Sequence, residues 1–259
     1  MIVAGCDIGS LTAKAVIMAD RKIIAEEVIR AAAPPERSAD EVMERALSIA
    51  GLTLNDIDFC VGTGYGRKRI PFANAIESEI ACHGKGAIWR DPLVRTVIDI
   101  GGQDSKVIRI DGSGTVERYV YNDKCASGTG RFLEIMADAL GVRLEEMGII
   151  SLQSSSPVAI SSQCVVFAET EIISLVNEGI DMPDIVGGLH IALAKRVAGL
   201  AGSIGVERKV AMSGGVAQNP GILKAMESAL GYSVKKLDNP QVNGALGAAV
   251  LAMETLQSG

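Results

Sequence analysis

The sequence predicts an α/β protein made from two copies of one supersecondary unit, and three observations carry that prediction. The stretch Thr96-Val97-Ile98-Asp99-Ile100-Gly101-Gly102-Gln103-Asp104-Ser105-Lys106-Val107-Ile108 reads as a buried strand ending in an acid, a glycine turn and a returning strand. The same shape occurs once before, in Ile2-Val3-Ala4-Gly5-Cys6-Asp7-Ile8-Gly9-Ser10-Leu11-Thr12-Ala13-Lys14-Ala15-Val16-Ile17, with Asp7 and Lys14 each 92 positions ahead of Asp99 and Lys106. The remaining chain alternates short apolar runs with helical periodicities. One of those runs, Lys209-Val210-Ala211-Met212, leads into a third glycine turn, Ser213-Gly214-Gly215-Val216-Ala217-Gln218-Asn219.

In both hairpins the chain returns as a strand, so neither is a strand-to-helix phosphate loop. Gly101-Gly102 lets the backbone turn tightly and brings its N–H groups close to a ligand. Asp7 and Asp99 stand at strand ends, where a carboxylate can hold a cation or a water. Two such hairpins can grip a phosphate chain from opposite sides with a metal between the aspartates. The glycine pair at 214–215 lets backbone approach something flat, such as an adenine. Three such turns together point to a nucleotide. The segment Gly244-Ala245-Leu246-Gly247-Ala248-Ala249 permits close helix packing and needs no ligand.

In order, strands are predicted over 2–8, 13–19 and 22–29, with a turn at Asp20-Arg21. A helix follows over 38–50 with Ser38 as its N-cap, then a strand at Phe59-Cys60-Val61. The loop Gly62-Thr63-Gly64-Tyr65-Gly66-Arg67 either approaches a ligand or is a plain loop. Residues 76–87 read as a helix ending near Gly84 or Gly86, and 115–121 as a strand. Phe132, Leu133, Ile135, Met136 and Leu140 have helical spacing, closed by Gly141. Further helices are predicted after Cys164, over 185–204, over 221–230 and over 244–253, with a strand at 232–236. Cys125 and Cys164 thus fall at or just before helix starts, where the helix dipole favours a thiolate. His83 and His190 fall on helix faces with no evident partner.

The 259 residues suffice for one large domain or two smaller ones. Hydrophobic content is 48% but aromatic content only 3%, so the core must be aliphatic. A net charge of −6 argues against electrostatic binding to nucleic acid. The apolar start soon reaches Asp7, and no run of about 18 apolar residues occurs, so no signal peptide or membrane span is expected and the chain reads as cytoplasmic. The five cysteines (Cys6, Cys60, Cys82, Cys125, Cys164) include no CxxC, and disulfides are not expected in that setting. Cys6, Cys60 and Cys82 lie in apolar settings and read as core thiols.

These turns and the small-residue helix together resemble the actin/sugar kinase/Hsp70 superfamily across the whole chain. Within it, Asp99-Ile100-Gly101-Gly102-Gln103-Asp104, Asn122-Asp123-Lys124-Cys125-Ala126-Ser127-Gly128-Thr129-Gly130-Arg131-Phe132 and Ser161-Ser162-Gln163-Cys164-Val165-Val166-Phe167-Ala168-Glu169 look like the ATP-dependent activators (component A) of 2-hydroxyacyl-CoA dehydratases. The relatives of that family include the ATPase subunits of benzoyl-CoA reductase. Ser127 departs from an expected Ala, and Gln163 and Val165 stand where hydroxylated residues are usual.

The resemblance implies duplicated ribonuclease-H-like domains with an ATP cleft between them. Domain I would be 1–95 with the C-terminal helix 244–259, and domain II 96–243. Asp7 and Asp99 would act through a Mg²⁺-bound water, with Gln103 orienting the attacking water. Ser10, Leu11, Thr12, Ala13, Lys14, Gly101, Gly102, Gly214, Gly215, Gln218 and Gln241 would hold ATP or ADP. Lys14 and Lys106 either meet phosphates or are surface lysines, and Lys14 is the better candidate for a phosphate. Cys125 and Cys164 from each of two subunits would ligate one [4Fe–4S] cluster in a homodimer, since two cysteines cannot complete a four-thiolate site alone. A flavodoxin or ferredoxin would be the electron donor, and a 2-hydroxyacyl-CoA dehydratase or a related double-cubane or benzoyl-CoA-type reductase the partner. Two rivals share the fold. A small-molecule kinase of pantothenate or amino-sugar type leaves Cys125 and Cys164 unused, and a nucleotide-switched module of actin or chaperone kind depends little on cysteine.

Overall fold

The computed structural model describes residues 1–161 and 164–258, the side chain of 258 excepted. Ser162 and Gln163 of the second cysteine motif lie outside the described residues. Contacts divide the chain into two compact units, 1–97 with 108–118 and 237–259, and 98–107 with 119–236. The C-terminal segment groups with the first unit, and so do residues 108–118. Residues 108–118 group with the first unit because Ile110 and Gly114 pack against its helix at Gly84.

The first sheet contains β1 (Ile2–Ile8), β2 (Thr12–Ala19), β3 (Lys22–Arg30), β4 (Phe59–Thr63) and β5 (Ala75–Ile76), in the order β3-β2-β1-β4-β5. β1 is antiparallel to β2 and parallel to β4. The second contains β6 (Thr96–Ile100), β7 (Ser105–Ile110), β8 (Val116–Asn122), β9 (Val210–Ser213) and β10 (Val234–Lys236). Its order is β8-β7-β6-β9-β10, the first sheet's order repeated strand for strand. The duplication seen as a 92-residue offset in the hairpins thus extends to whole sheets.

Helices α1 (Pro35–Ala50) and α2 (Glu79–Arg90) follow the strands of the first half. The second half carries α3 (Gly130–Leu140), α4 (Met147–Leu152), α5 (Val165–Asn177), α6 (Met182–Ile204) and α7 (Pro220–Leu230), and α8 (Asn243–Ser258) ends the chain. Aliphatic side chains fill both units, as the low aromatic content requires. Ile17, Met18 and Met43 are buried in one, and Ile98, Ile100, Leu133 and Met136 in the other. α6 is long and apolar enough to cross a membrane, but Ile185, Leu189, Leu193 and Val197 are buried in the second unit's core.

Local chemistry moves several elements from their predicted places. α1 begins at Pro35, and Ser38 does not cap it. Its hydroxyl instead donates to Ala32 O and accepts from Ala32 N. α2 starts at Glu79 with Ser78 as N-cap and runs straight through Gly84 and Gly86. These glycines mark close approaches rather than a helix end. A Cβ at Gly84 would come within 2.7 Å of Gly114 O, and one at Gly86 would overlap Asn243 O. α4 has six residues, too few to show a helical period.

α8 packs on β1 and α2 by the same device. A Cβ at Gly247 would overlap Cys82 O, and one at Gly5 would overlap Ala245 O. Gly247→Ala is therefore expected to destabilise the protein by about 1–3 kcal/mol through overpacking. Gly199→Ala in α6, where nothing lies within 4 Å of the added carbon, should stabilise it by up to about 1 kcal/mol. Thermal unfolding of the two variants beside the wild type checks the contrast.

Candidate functional site

In the first unit Asp7 is the penultimate residue of β1, in register with Lys14 on β2. The Lys14 ammonium donates to Asp7 Oδ2 at 3.1 Å, with both side chains largely covered. Neither lysine of the repeat is a loose surface residue, because each is drawn in by a carboxylate. Gly9 N donates to Thr12 O at 3.0 Å and closes the turn. Ser10, Leu11 and Thr12 form its half-buried tip, and Ala13 is buried beneath. The parallel strand β4 ends beside them at Thr63-Gly64. Gly64 has φ +87°, and a Cβ on it would overlap Asp7 Oδ1.

The second unit repeats the strand-end acid paired with a lysine across the hairpin. Asp99 on β6 faces Lys106 on β7, whose Nζ lies 3.4 Å from Asp99 Oδ2 and 2.5 Å from Asp104 Oδ2. Ser213 Oγ donates to Asp99 Oδ1 at 2.8 Å. Gly214 has φ +83°, and a Cβ on it would overlap Ile100 O and come within 2.9 Å of Asp99 Oδ1. Gly101 N donates to Asp104 O at 2.9 Å, which leaves Gln103 exposed in the turn. Gly215 and Gln218 are exposed beyond Gly214. Gln241 belongs to the first unit, in the short turn Pro240–Val242 that enters α8. Of the predicted nucleotide residues, the first unit therefore gathers Asp7, Ser10 to Lys14 and Gln241. The second gathers Asp99, Gly101, Gly102, Gln103, Gly214, Gly215 and Gln218.

Each unit thus offers a strand-end carboxylate neutralised by a lysine, with a tight glycine turn on either side. Such a group can hold a hydrated cation through the acid and an anion through lysine and backbone N–H groups.

The cysteine segment is tied to the second hairpin. Gly130 N donates to Gly101 O and Arg131 N to Gly102 O, each at 2.8 Å. The first N–H groups of α3 are therefore spent on the glycine turn and are not available to Cys125. Cys125 precedes a three-residue turn, Ala126–Gly128, rather than α3 itself. Its thiol is still held below the ordinary value, chiefly by hydrogen bonds from the Ser127 hydroxyl, 3.2 Å away, and the Ser127 backbone N–H, with a smaller contribution from Arg196. Cys164 is the N-cap of α5 and is exposed. Burial pushes the Cys60 and Cys82 thiols up to about 12 and raises Cys6 as well. Among the described residues no three His, Cys, Asp or Glu side chains gather as a metal site.

Neither histidine lies unpartnered on a helix face. His190 Nδ1 donates to Ser151 Oγ at 2.9 Å, because Ser151 spends its own proton on Gly148 O. Burial lowers its pKa to about 4. His83 is buried against Asn243.

Residues 4–252 match the BadF/BadG/BcrA/BcrD ATPase family. The chain belongs to this family. It is 44% identical to the activator of lactoyl-CoA dehydratase from Anaerotignum propionicum, over 99% of each chain. Its structure is similar to that of (R)-2-hydroxyglutaryl-CoA dehydratase component A from Acidaminococcus fermentans (TM-score 0.96, 41% identity, 99% of each chain covered). It is similar also to the activator of 2-hydroxyisocaproyl-CoA dehydratase from Clostridium difficile with bound ADPNP (TM-score 0.95, 43% identity, 100% of this chain and 96% of the other). The fold is the duplicated α/β fold of actin, sugar kinase and Hsp70 proteins, and this member of the BadF/BadG/BcrA/BcrD family is an ATPase that uses ATP.

In this BadF/BadG/BcrA/BcrD ATPase the Thr63-Gly64 turn, part of the loop that the sequence left open as ligand-approaching or plain, lies beside Asp7. It is the first unit's counterpart of Ser213-Gly214, but it does not share the 92-residue offset because helices α3 to α6 separate β8 from β9. The hydroxyl-glycine pair at the end of a short strand was the available signal. An alanine at Gly64 or Gly214 should raise the ATP dissociation constant about tenfold or more, since an L-residue at positive φ costs ~1–2 kcal/mol before any overlap. Calorimetric titration of each variant with ATP measures it. In cluster-free protein, Ser127→Ala should shift the pH midpoint of Cys125 alkylation upward, toward about 8.5. Peptide-resolved mass spectrometry after iodoacetamide reads this, with Cys6, Cys60 and Cys82 expected to stay unreacted. An unmoved midpoint would remove Ser127 as the cause.

Proposed function

We propose that this ATPase is the activator of a 2-hydroxyacyl-CoA dehydratase or a related benzoyl-CoA-type reductase. In this reading it takes one electron from a flavodoxin or ferredoxin and delivers it at low potential, with ATP hydrolysis making delivery one-way. It works in the cytoplasm as a homodimer of two-domain subunits. The observation that carries the proposal is the tie between the nucleotide hairpin and the cysteine segment, through Gly101 O and Gly102 O. A small-molecule kinase has no use for that tie or for one exposed and one half-exposed cysteine.

The donor set fits a [4Fe–4S] cluster shared between two chains. The two exposed or half-exposed thiols are Cys125 and Cys164, and one of them is favoured as thiolate. Four thiolates are needed and each chain offers two, so a second copy completes the set. When bound, the cluster supplies a one-electron carrier. Cys125 and Cys164 would hold it, and the Ser127 hydroxyl lies 3.2 Å from the Cys125 sulfur.

Asp7 and Asp99 would hold Mg²⁺ through water, and Gln103 would orient the attacking water. Lys14 and the backbone of Ser10 to Ala13 would meet one end of the phosphate chain, and Gly101 and Gly102 the other. Gly214, Gly215, Gln218 and Gln241 would hold the nucleoside. The chemistry is then mostly positioning and charge neutralisation. Loss of the γ-phosphate releases the 101–104 turn, and the two backbone bonds to Gly130 and Arg131 pass that shift to the segment carrying Cys125.

Anaerobic purification with iron and sulfide analysis tests this reading. About four Fe and four S per dimer are expected, with Cys164→Ala colourless yet still binding ATP. A wild-type protein that hydrolyses ATP but stays iron-free after reconstitution overturns it.

A further inference from the structure

The two aspartates are held by different second donors. Asp99 receives Lys106 and, from the end of the neighbouring parallel strand, the Ser213 hydroxyl at 2.8 Å. Asp7 receives Lys14 at 3.1 Å, but Thr63, which stands where Ser213 stands, donates its hydroxyl to Glu77 O at 3.1 Å. The first unit therefore does not spend this hydroxyl on its aspartate.

A buried histidine on α2 borders the same space as Asp7 Oδ2. His83 on α2 is 6% exposed, and Asn243, the first residue of α8, is 1% exposed. Asn243 Nδ2 donates to His83 O at 3.0 Å and stands 3.2 Å from His83 Nδ1. The carbonyl fixes the amide's orientation, since an amide oxygen there would face another acceptor. His83 Nδ1 is therefore the acceptor, and the neutral ring carries its proton on Nε2. Asn243 Oδ1 has no hydrogen-bond partner among the described residues and lies 2.6 Å from where a Cβ on Gly86 would sit. On the other side of the ring, the position of a Cβ on Gly244 lies 3.3 Å from His83 Nε2 and 3.1 Å from Asp7 Oδ2. Both atoms border the one space that glycine at 244 leaves open.

We infer that His83 is a positioning residue for Asp7, its Nε2–H directed at Asp7 Oδ2 either directly or through one water. With Lys14 and His83 both on Oδ2, the carboxylate is held so that Oδ1 is the oxygen turned toward Gly64. The inference deepens the ATPase reading above and rests on it only where hydrolysis is the readout.

Two histidines make the test direct, because [¹⁵N]histidine labelling gives a spectrum of two rings. Near neutral pH, His83 should show the Nε2–H tautomer and His190 the Nδ1–H tautomer. In Asp7→Asn protein the His83 Nε2 resonance should move and that of His190 should not. For hydrolysis, His83→Asn keeps a group facing Asn243 but lacks Nε2. Its kcat should fall about tenfold or more with the KM for ATP within about threefold. His83→Gln, whose amide reaches the Nε2 position, should recover to within about threefold of wild type. An Nδ1–H tautomer at His83, an unmoved His83 resonance in Asp7→Asn, or an unchanged kcat in His83→Asn overturns the inference. The spectral arm needs no His83 variant to fold and no ATPase activity. A wild type without hydrolysis would therefore defeat the proposed function while the spectra still decide the role of His83.

Discussion

Two carboxylates at the ends of central strands must be kept charged while almost entirely out of water. Isolated, each would be costly to bury, so each needs a cation and further donors. Lys14 and Lys106 provide the cation from seven residues along the chain, which in a tight hairpin is the position directly across the ladder. That requirement dictates the length of the hairpin turn. It also brings the neighbouring parallel strand into the site, because the chain must leave that strand without a side chain where it passes the acid. Gly64 and Gly214 do this with the same positive φ, each leaving room beside a strand-end aspartate.

The hairpin of the second unit carries more than its own charge. Its two glycine carbonyls accept the first N–H groups of α3, so the turn and the start of that helix move together or break two hydrogen bonds. Cys125 hangs on the short turn just before. Its acidity comes from a local serine instead of a helix terminus, a consequence of those N–H groups being already engaged. Ser127, which departs from the alanine expected in its motif, thus has a definite role at the sulfur.

Close backbone approach governs the other end of the first unit. α8 lies against β1 and α2 at Gly5, Gly247 and Gly86, where any side chain would overlap a backbone atom. The same closeness brings Asn243 onto His83 and leaves the space at Gly244 that His83 and Asp7 border. Packing and site chemistry therefore meet at the start of α8, where Asn243 packs on α2 and Gly244 leaves the space beside Asp7.

The sequence by itself determined the duplicated α/β class, the strand-end aspartates, the glycine turns and which three of the five cysteines are core thiols. These are local patterns, written in the period of side chains along a strand and in residues that tolerate tight turns. It also placed most strands and helices, because strong apolar periodicity needs no tertiary context. What only the tertiary structure decided depends on neighbours distant in the chain. Gly84 and Gly86 read locally as helix breakers and are instead the contact face of α2. Ser38 reads as a cap but bonds a loop. Thr63-Gly64 becomes legible as a site element only when β4 pairs with β1 beside Asp7. Both histidines acquire partners 39 to 160 residues away. A hydrogen bond or an overlap between such residues has no period along the chain, and so only the folded backbone could reveal it.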